Sequence, residues 1–183
     1  MKAGVLALQG DFREHLGVLR DLGAAAIEVR SPEELSDVAC LVIPGGESTT
    51  IGKLALGHGL VEPIRERVAQ GMPVLGTCAG LIVMAARVIG GEPLLGVLDV
   101  EVRRNAYGRQ SESFEADLEV GGEPVRGVFI RAPVIESVGE GVEVLATHAG
   151  LPVVVEGGGL IGATFHPELA GDGRLHRRML ERV

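Results

Sequence analysis

Cys78 is the residue best placed by its neighbours to act as a nucleophile. It stands at the centre of a Gly-x-Cys-x-Gly pattern with Gly76 and Gly80, directly after the apolar run 73–75. The serine version of this pattern is a sharp strand-to-helix turn that exposes a nucleophile. Glycine permits the tight turn, and the positive end of a helix dipole favours the thiolate. A cysteine that only packs in the core is the alternative interpretation of the same residues.

A cysteine nucleophile needs a base and a group that orients the base, and residues 162–168 offer both. His166 and Glu168 flank Pro167 at the end of an apolar strand pattern. Residues two apart on an extended segment point to the same side, so the carboxylate can reach the imidazole. A His-Pro-Glu sequence alone is typical of a turn, but together with Cys78 it predicts a Cys-His-Glu triad.

Two further glycines follow another buried strand pattern. Gly45 and Gly46 come after the apolar residues 40–43 and before the polar residues 47–50. Backbone N–H groups exposed at such a turn can stabilise an oxyanion, which contributes strongly to acyl-transfer catalysis. A strand-to-helix turn that needs glycine for its dihedral angles is the structural interpretation, and the two interpretations are compatible.

The scaffold for these residues is predicted from an alternation of apolar strand patterns with amphipathic helical ones. Such alternation is typical of an α/β fold with a mostly parallel sheet. The first half predicts strands at 4–8, 25–30, 40–43 and 72–76, and helices at 11–22, from 31, from 48, at 61–70 and at 81–89.

The second half of the chain is richer in β-strand patterns. It predicts strands at 97–103, 115–120, 127–130, 142–147, 151–156 and 160–165, and a final helix at 172–183. We expect these strands to form an antiparallel extension of the sheet. Since no linker, repeat or low-complexity segment interrupts the chain, we expect one domain, 1–183.

The composition argues against several classes of function. The formal net charge is −8, with 17 Lys and Arg against 25 Asp and Glu, so a nucleic-acid-binding surface is not expected. No apolar run approaches about 18 residues and no export signal is present, so we expect a cytoplasmic protein with both cysteines reduced. Four histidines lack the spacing of metal ligands and are expected at the surface or at helix ends: His15, His58, His148 and His176.

Three patterns together resemble the class I glutamine amidotransferases. They are Pro44-Gly45-Gly46, Gly76-Thr77-Cys78-Ala79-Gly80 and His166-Pro167-Glu168, in this order. Four further segments narrow the resemblance to the glutaminase subunits of pyridoxal 5′-phosphate synthase: Leu8-Gln9-Gly10, residues 45–50, residues 104–110 with Ser113-Phe114-Glu115, and residues 128–133. The resemblance runs from residue 4 to about residue 168. It implies the three-layer, flavodoxin-like fold of that class.

The resemblance also implies a role for each matching residue. Cys78 would attack the carboxamide carbon of glutamine, His166 would carry a proton to the leaving ammonia, and Glu168 would orient the imidazole. The backbone N–H groups of Gly46 and Ala79 would form the oxyanion hole. The residues matching substrate-binding positions are Gly46, Glu47, Ser48, Arg104, Ile130 and Arg131. Because Arg103 adjoins Arg104, either arginine could contact the substrate carboxylate.

The family resemblance further implies a partner that uses the ammonia. This partner is a synthase subunit with a (β/α)₈ barrel, and pyridoxal 5′-phosphate is the product of the complex rather than a cofactor of this chain. We therefore expect neither a cofactor nor a metal. Residues 9–20, with Gln9, Arg13 and His15 among them, are the hypothetical docking surface.

Three alternatives remain at this point. The first is the glutaminase of imidazole glycerol phosphate synthase, against which residues 45–50 and 104–110 argue. The second is the group of cysteine peptidases and chaperones with a similar elbow, which usually place histidine where Ala79 stands. The third is a non-catalytic regulatory subunit of the same fold, which the loss of a triad residue would favour.

Overall fold

The computed structural model describes residues 1–104 and 113–183, and within these ranges it has twelve strands and six α-helices. The family segment from Asn105 to Gln110 lies outside the described residues. The strands are β1 (Lys2–Leu6), β2 (Ala25–Val29), β3 (Cys40–Ile43), β4 (Val74–Thr77), β5 (Ala85–Ile89), β6 (Leu98–Arg103), β7 (Phe114–Val120), β8 (Glu123–Phe129), β9 (Val134–Val138), β10 (Glu143–His148), β11 (Leu151–Gly157) and β12 (Leu160–Ala163). The helices are α1 (Phe12–Asp21), α2 (Pro32–Ser36), α3 (Ser48–Gly57), α4 (Val61–Ala69), α5 (Ala79–Met84) and α6 (Arg174–Leu180), and a 3₁₀ turn spans Glu168–Ala170.

A seven-stranded sheet forms the centre, with the strand order β10-β11-β12-β4-β3-β1-β2. The five strands from β12 to β2 are mutually parallel, and β11 and β10 continue the sheet in antiparallel fashion. Ile43 of β3 pairs with Gly76 of β4, which pairs with Gly162 of β12. The segments that follow these three strands therefore leave the sheet at one level and along one edge, where α/β proteins place their ligands.

Helices cover both faces of this sheet and make three layers. On one face, buried side chains of α2 to α5 pack against the sheet, including Leu35, Ile51 and Ile64. On the other face α1 and α6 pack, with Leu19 and Met179 fully buried, together with the hairpin of β7 and β8. The predicted three-layer α/β fold with a mostly parallel sheet is confirmed. No described helix is long and apolar enough to cross a membrane.

The helix after Cys78 is shorter than predicted. It ends at Met84, and residues 85–89 form β5, which runs parallel to β6. The N–H groups of Leu95 and Val97 donate to the carbonyls of Val83 and Met84, both at 3.0 Å. These bonds use carbonyls that a longer helix would need for itself. A short apolar run satisfies helical and extended patterns alike, so the sequence pattern could not separate them.

The strands of the second half are distributed over three sheets rather than one. Only β10 and β11 form the antiparallel extension, and β12 instead pairs in parallel with β4. Strands β5, β6 and β9 make a second sheet, and β7 and β8 make a separate hairpin. Strand β9 was absent from the predicted elements, and its sequence Val-Ile-Glu-Ser-Val buries only its first two residues. Pairing partners are long-range contacts, which local patterns do not encode.

Candidate active site

Cys78 occupies a strained turn between β4 and α5. Its φ is 48° and its ψ is −104°, values that residues with a Cβ rarely adopt. The backbone N–H of Cys78 donates to the carbonyl of Ala163 at the end of β12, at 2.8 Å. Strain of this kind persists only where the surrounding structure imposes it, and it is a feature of nucleophile elbows. The local geometry thus agrees with the predicted elbow.

The two glycines around Cys78 are required by close packing. A Cβ on Gly80 would collide with the carbonyl oxygen of Ile43 in β3. A Cβ on Gly76 would lie 2.5 Å from the sulfur of Met84 and 2.8 Å from the backbone of Gly80. Neither glycine has a positive φ, so what they provide here is space rather than an unusual dihedral angle. Helix α5 can therefore pack directly against the ends of β3 and β4.

His166 and Glu168 follow β12 and lie beside the elbow. The N–H of His166 donates to the carbonyl of Val128 at 2.8 Å, which fixes the backbone of the segment. The Nδ1–H of His166 donates to Oε1 of Glu168 at 2.7 Å, and His166 and Cys78 line the same cavity. The structure therefore brings the three residues together in the order thiol, imidazole, carboxylate.

The contact between His166 and Glu168 shifts the pKa of both groups. Burial lowers the pKa of His166, but its interactions with Cys78 and Glu168 outweigh burial and raise that pKa to about 10. Burial raises the pKa of Glu168, and the hydrogen bond from His166 opposes this rise. The protonated imidazole is the favoured state of His166, because the carboxylate of Glu168 lies next to it.

A cavity of about 380 Å³ opens above the thiol of Cys78. Every predicted site residue except Glu168 lines this cavity, and Glu168 lies buried behind His166. The volume is in the range typical of small-molecule sites. A larger cavity of about 450 Å³, between α1 and the start of α6, contains none of the predicted site residues. The lining residues are Gln9, Gly10, Asp11, Gly46, Glu47, Ser48, Cys78, Ala79, Ile82, Arg104, Ile130, Arg131, His166 and Leu169.

The turn at Gly45 and Gly46 is held between the imidazole and the segment before α1. A Cβ on Gly45 would collide with the ring of His166. Gly46 has a φ of 152°, and a Cβ there would lie 2.6 Å from the side-chain oxygen of Gln9. That same oxygen accepts the N–H of Glu47 at 2.7 Å. Gln9 thus orients the turn, a role that the sequence pattern did not reveal.

Glu47 and Arg104 form an ion pair at the cavity. Glu47 caps α3 by accepting the N–H groups of Thr49 and Thr50, at 3.1 and 2.7 Å. Burial raises the pKa of Glu47, but these hydrogen bonds outweigh it and lower that pKa to about 2. Nη2 of Arg104 donates to Oε1 of Glu47 at 3.1 Å and to the hydroxyl of Thr49 at 3.0 Å.

The neighbouring arginine, Arg103, does not line this cavity. Its Nε donates to Glu136 of β9 at 2.6 Å. Strand β6 ends at Arg103, and Arg104, the first residue after it, lines the cavity.

The loop after β8 closes another side of the cavity. The carbonyl oxygen of Ile130 lies 3.9 Å from Sγ of Cys78 and accepts its weak hydrogen bond. Arg131 is exposed and has a φ of 45°, a strained value for a residue with a side chain. Strained backbone of this kind concentrates at functional sites, where the surrounding structure holds it.

The prediction that His15 and His176 lie at the surface or at helix ends is wrong, because both are fully buried. His15 lies in the middle of α1 on its core-facing side. It shares that side with Leu16 and Leu19, and the i, i+1, i+4 spacing of these residues was the available signal. His58 is exposed at the end of α3, as predicted, and His148 is half-buried against Phe114.

One group of possible metal ligands occurs among residues 1–104 and 113–183. Ligand atoms of Asp11, His166 and Glu168 lie within 4.8 Å of one another. The same imidazole nitrogen, Nδ1, lies 3.4 Å from Oδ2 of Asp11 and 2.7 Å from Oε1 of Glu168. The proton on this nitrogen faces both carboxylates. The arrangement therefore stabilises a buried, protonated imidazole.

Comparisons with known proteins agree with this geometry. A curated relative from Pelotomaculum thermopropionicum, named pyridoxal 5′-phosphate synthase subunit PdxT, is 56% identical over 186 residues, covering 100% of this chain and 95% of that protein. A PdxT from Thermus thermophilus is 57% identical over 182 residues, covering 97% of this chain and 95% of that protein.

Solved structures show the same likeness. A crystal structure of a glutamine amidotransferase matches with a TM-score of 0.94 at 55% identity, covering 98% of this chain and 97% of that one. A chain in the structure of PurLQS from Thermotoga maritima shares the fold, with a TM-score of 0.72 at 18% identity over 98% of this chain and 97% of that one. The model of the SNO glutamine amidotransferase family matches residues 5–183. The chain therefore belongs to the SNO glutamine amidotransferase family.

Proposed function

We propose that this chain hydrolyses L-glutamine to L-glutamate and ammonia, with Cys78, His166 and Glu168 as its catalytic triad. One observation carries the proposal: Cys78 and His166 line one cavity of about 380 Å³, and Glu168 is hydrogen-bonded to His166 from behind. The membership of a glutamine amidotransferase family and relatives named PdxT support the same reaction.

The reaction follows from the charges of the triad. The thiolate of Cys78 attacks the carboxamide carbon and forms a C–S bond, and the carbonyl electron pair moves to the oxygen. When the electron pair returns, the C–N bond breaks and the imidazolium of His166 gives its proton to the departing ammonia. His166 then takes a proton from water, which attacks the thioester and releases glutamate and the thiolate. Glu168 stabilises the imidazolium in both halves of the cycle.

We assign the oxyanion hole to the N–H groups of Ala79 and Gly46. Ala79 is the first residue of α5, and the first N–H groups of a helix have no partner within it. Gly46 and Ala79 line the same cavity as Cys78. Fixed N–H dipoles facing the developing negative charge lower the barrier, because they need not reorganise during the reaction.

Recognition of the amino-acid end of glutamine is assigned to the opposite side of the cavity. Arg104 and Glu47 present one positive and one negative group there, which suits a zwitterion. The planar guanidinium can bind the substrate carboxylate, and Glu47 can accept the ammonium. Ser48, Ile130 and Arg131 complete the proposed substrate-binding set, in agreement with their positions around the cavity.

We further propose that the ammonia passes to a pyridoxal 5′-phosphate synthase subunit with a (β/α)₈ barrel. The relatives are named as subunits of that synthase, and the full-length similarity favours this pathway over imidazole glycerol phosphate synthesis. The proposed hydrolysis needs no cofactor, and pyridoxal 5′-phosphate is the product of the complex. A cytoplasmic location suits a nucleophile that must stay reduced.

One residue of the hypothetical docking surface at residues 9–20 does not belong to that surface. His15 is fully buried, so it cannot contact a partner, and its replacement would disturb the core instead. The exposed side of α1 includes Arg13 and Glu14. Together with Gln9 at the cavity rim, these residues form the revised surface.

Glutamate release by the purified chain, alone and with the synthase subunit, tests the proposal. We expect strong stimulation by the partner and no release from Cys78→Ala. The matched control is Cys40→Ala, which should keep the activity, because burial raises the pKa of the Cys40 thiol to about 11 and leaves it unreactive. Release by Cys78→Ala would refute the nucleophile. Activity without any response to the partner would refute the pathway only.

A further inference from the structure

Four buried polar side chains form a network directly behind the triad. Nε2 of His15 lies 3.5 Å from Oε1 of Glu168 and 3.1 Å from the hydroxyl oxygen of Thr77. Nδ1 of His15 lies 2.8 Å from Nε2 of His176. All four side chains are closed off from solvent. They join α1, α6, the end of β4 and the 3₁₀ turn at the one point where these elements meet.

The protons in this network can be placed from its contacts. Nδ1 of His176 is buried and has no hydrogen-bond partner among the described residues. A bare nitrogen lone pair costs less there than an orphaned N–H, so the proton of His176 resides on Nε2 and is donated to His15. His15 accepts it at Nδ1 and therefore carries its own proton on Nε2. That N–H donates to the hydroxyl oxygen of Thr77 at 3.1 Å and lies 3.5 Å from Oε1 of Glu168.

We infer that His15, supported by His176, is a positioning residue whose Nε2–H, close to the carboxylate of Glu168, helps to hold that carboxylate ionised against His166. The inference rests on the proposed function, because it concerns the same triad. Oε1 of Glu168 lies 2.7 Å from Nδ1 of His166 and 3.5 Å from Nε2 of His15, whereas Oε2 has no hydrogen-bond partner among the described residues. A buried carboxylate with few donors is costly to ionise, and an N–H dipole beside it favours the anion.

Both supporting histidines can act this way because they stay neutral. Burial, reinforced by the charges of His176 and His166, lowers the pKa of His15 well below its usual value. Burial lowers the pKa of His176 to about 4, which Asp172 opposes. A neutral His15 places its N–H dipole beside the carboxylate without repelling the imidazolium of His166.

Other charged or titratable groups also face this network. Asp11, on the segment before α1, lies 3.4 Å from Nδ1 of His166. Asp172 lies on the segment before α6 and acts on His176, and Cys78 lies on the far side of His166. None of these groups donates to Glu168, so they cannot replace His15. The inferred effect of His15 is therefore separable from theirs by substitution.

Three substitutions of His15 separate donation from packing. His15→Gln places an amide N–H near the original Nε2 and keeps a donor for Glu168. His15→Asn is also an amide, but its shorter side chain reaches only the position of Nδ1. His15→Leu fills the volume without any donor. Folding of each variant is checked by circular dichroism and thermal unfolding.

The readout is the pH dependence of Cys78 alkylation by iodoacetamide, which reports the thiolate–imidazolium pair without glutamine turnover. Cys40→Ala serves as the background for all variants, so that a single thiol reacts. We expect the midpoint to rise by about one pH unit in His15→Leu and His15→Asn, because the N–H dipole beside the carboxylate of Glu168 is lost. His15→Gln should stay near the parent midpoint. Glutamine turnover should show kcat about tenfold lower in the donor-free variants, with KM little changed.

Several outcomes would overturn the inference. An unchanged midpoint in a folded donor-free variant would do so, and so would equal shifts in His15→Gln and His15→Leu. Failure of both donor-free variants to fold, beside a normal His15→Gln, would assign the network to stability alone. A parent chain with a normal alkylation profile but no glutaminase activity would refute the proposed function and leave this inference intact.

Discussion

At the scale of single residues, the site depends on a cysteine held in an unfavourable backbone conformation. The φ of 48° at Cys78 is imposed by hydrogen bonding to β12 and by the packing of α5 on β3 and β4. This conformation costs stability, on the order of 1–3 kcal/mol for a residue with a Cβ. A thiol at the floor of the cavity is what the conformation provides.

The strain leads to a prediction about two inactive variants. Cys78→Gly should be more stable than Cys78→Ala by about 1 kcal/mol, because glycine relieves the strain and loses part of the gain to unfolded-chain entropy. Urea unfolding of the two variants measures the difference. Ala149→Gly is the matched control, since Ala149 has a φ of 49° in the turn between β10 and β11. It should also gain stability while keeping glutaminase activity. A more stable Cys78→Ala would contradict the strain.

At the scale of elements, the site depends on how closely α5 approaches the sheet. Gly80 lies where a Cβ would meet the backbone of β3, and the backbone cannot move aside. By contrast, Gly17 in α1 has no atom within 4 Å of an added Cβ. The two glycines lie in helices on opposite faces of the sheet, and only one of them is needed for packing.

Alanine at these two positions should therefore have opposite effects. Gly80→Ala should destabilise the fold by roughly 3 kcal/mol through overpacking and should displace Cys78. Gly17→Ala should stabilise it by up to about 1 kcal/mol, because alanine favours a helix interior. Thermal unfolding measures both changes, and glutamate release measures the displacement. A stability loss in Gly17→Ala, or none in Gly80→Ala, would show that the packing differs from that described.

At the scale of the whole molecule, α6 packs against one face of the central sheet and is held there by ion pairs to a buried carboxylate. Glu156 of β11 is 7% exposed and forms ion pairs with two arginines of the C-terminal region. Nε of Arg178 donates to its Oε2 at 2.7 Å, and Nη2 of Arg182 lies 2.6 Å from its Oε1 in an ion pair without a hydrogen bond. The same helix carries His176 into the network behind the triad. The placement of α6 thus affects both stability and the site. The organisation of residues 1–183 as one domain stays a prediction.

Removing the charge of Glu156 should weaken the attachment of α6 to the sheet. Glu156→Gln should cost about 1.5 kcal/mol, because two partly exposed arginines lose their charged partner. Glu123→Gln is the matched control. Its carboxylate is exposed and 3.7 Å from Arg174, so its loss should change stability by no more than about 0.5 kcal/mol. Chemical unfolding of both variants gives the comparison, and equal losses would exclude a special role for Glu156.

The sequence by itself was enough to predict the proposed nucleophile, base and carboxylate, because each lies in a short pattern whose local geometry it controls. The strands of the first half and most helices were likewise predictable from local periodicity, within a few residues. The exceptions were elements whose form depends on distant partners, such as β5, which extends only because β6 lies beside it.

Only the tertiary structure decided which arginine faces the cavity, how Gln9 orients the Gly45–Gly46 turn, and that His15 lies beside Glu168. The physical reason is that hydrogen bonds between side chains depend on distance in space. His15 and His176 are separated by 161 positions in the chain, yet their ring nitrogens lie 2.8 Å apart. No local pattern records such a contact, because it forms only when α1 and α6 pack against the same face of the sheet.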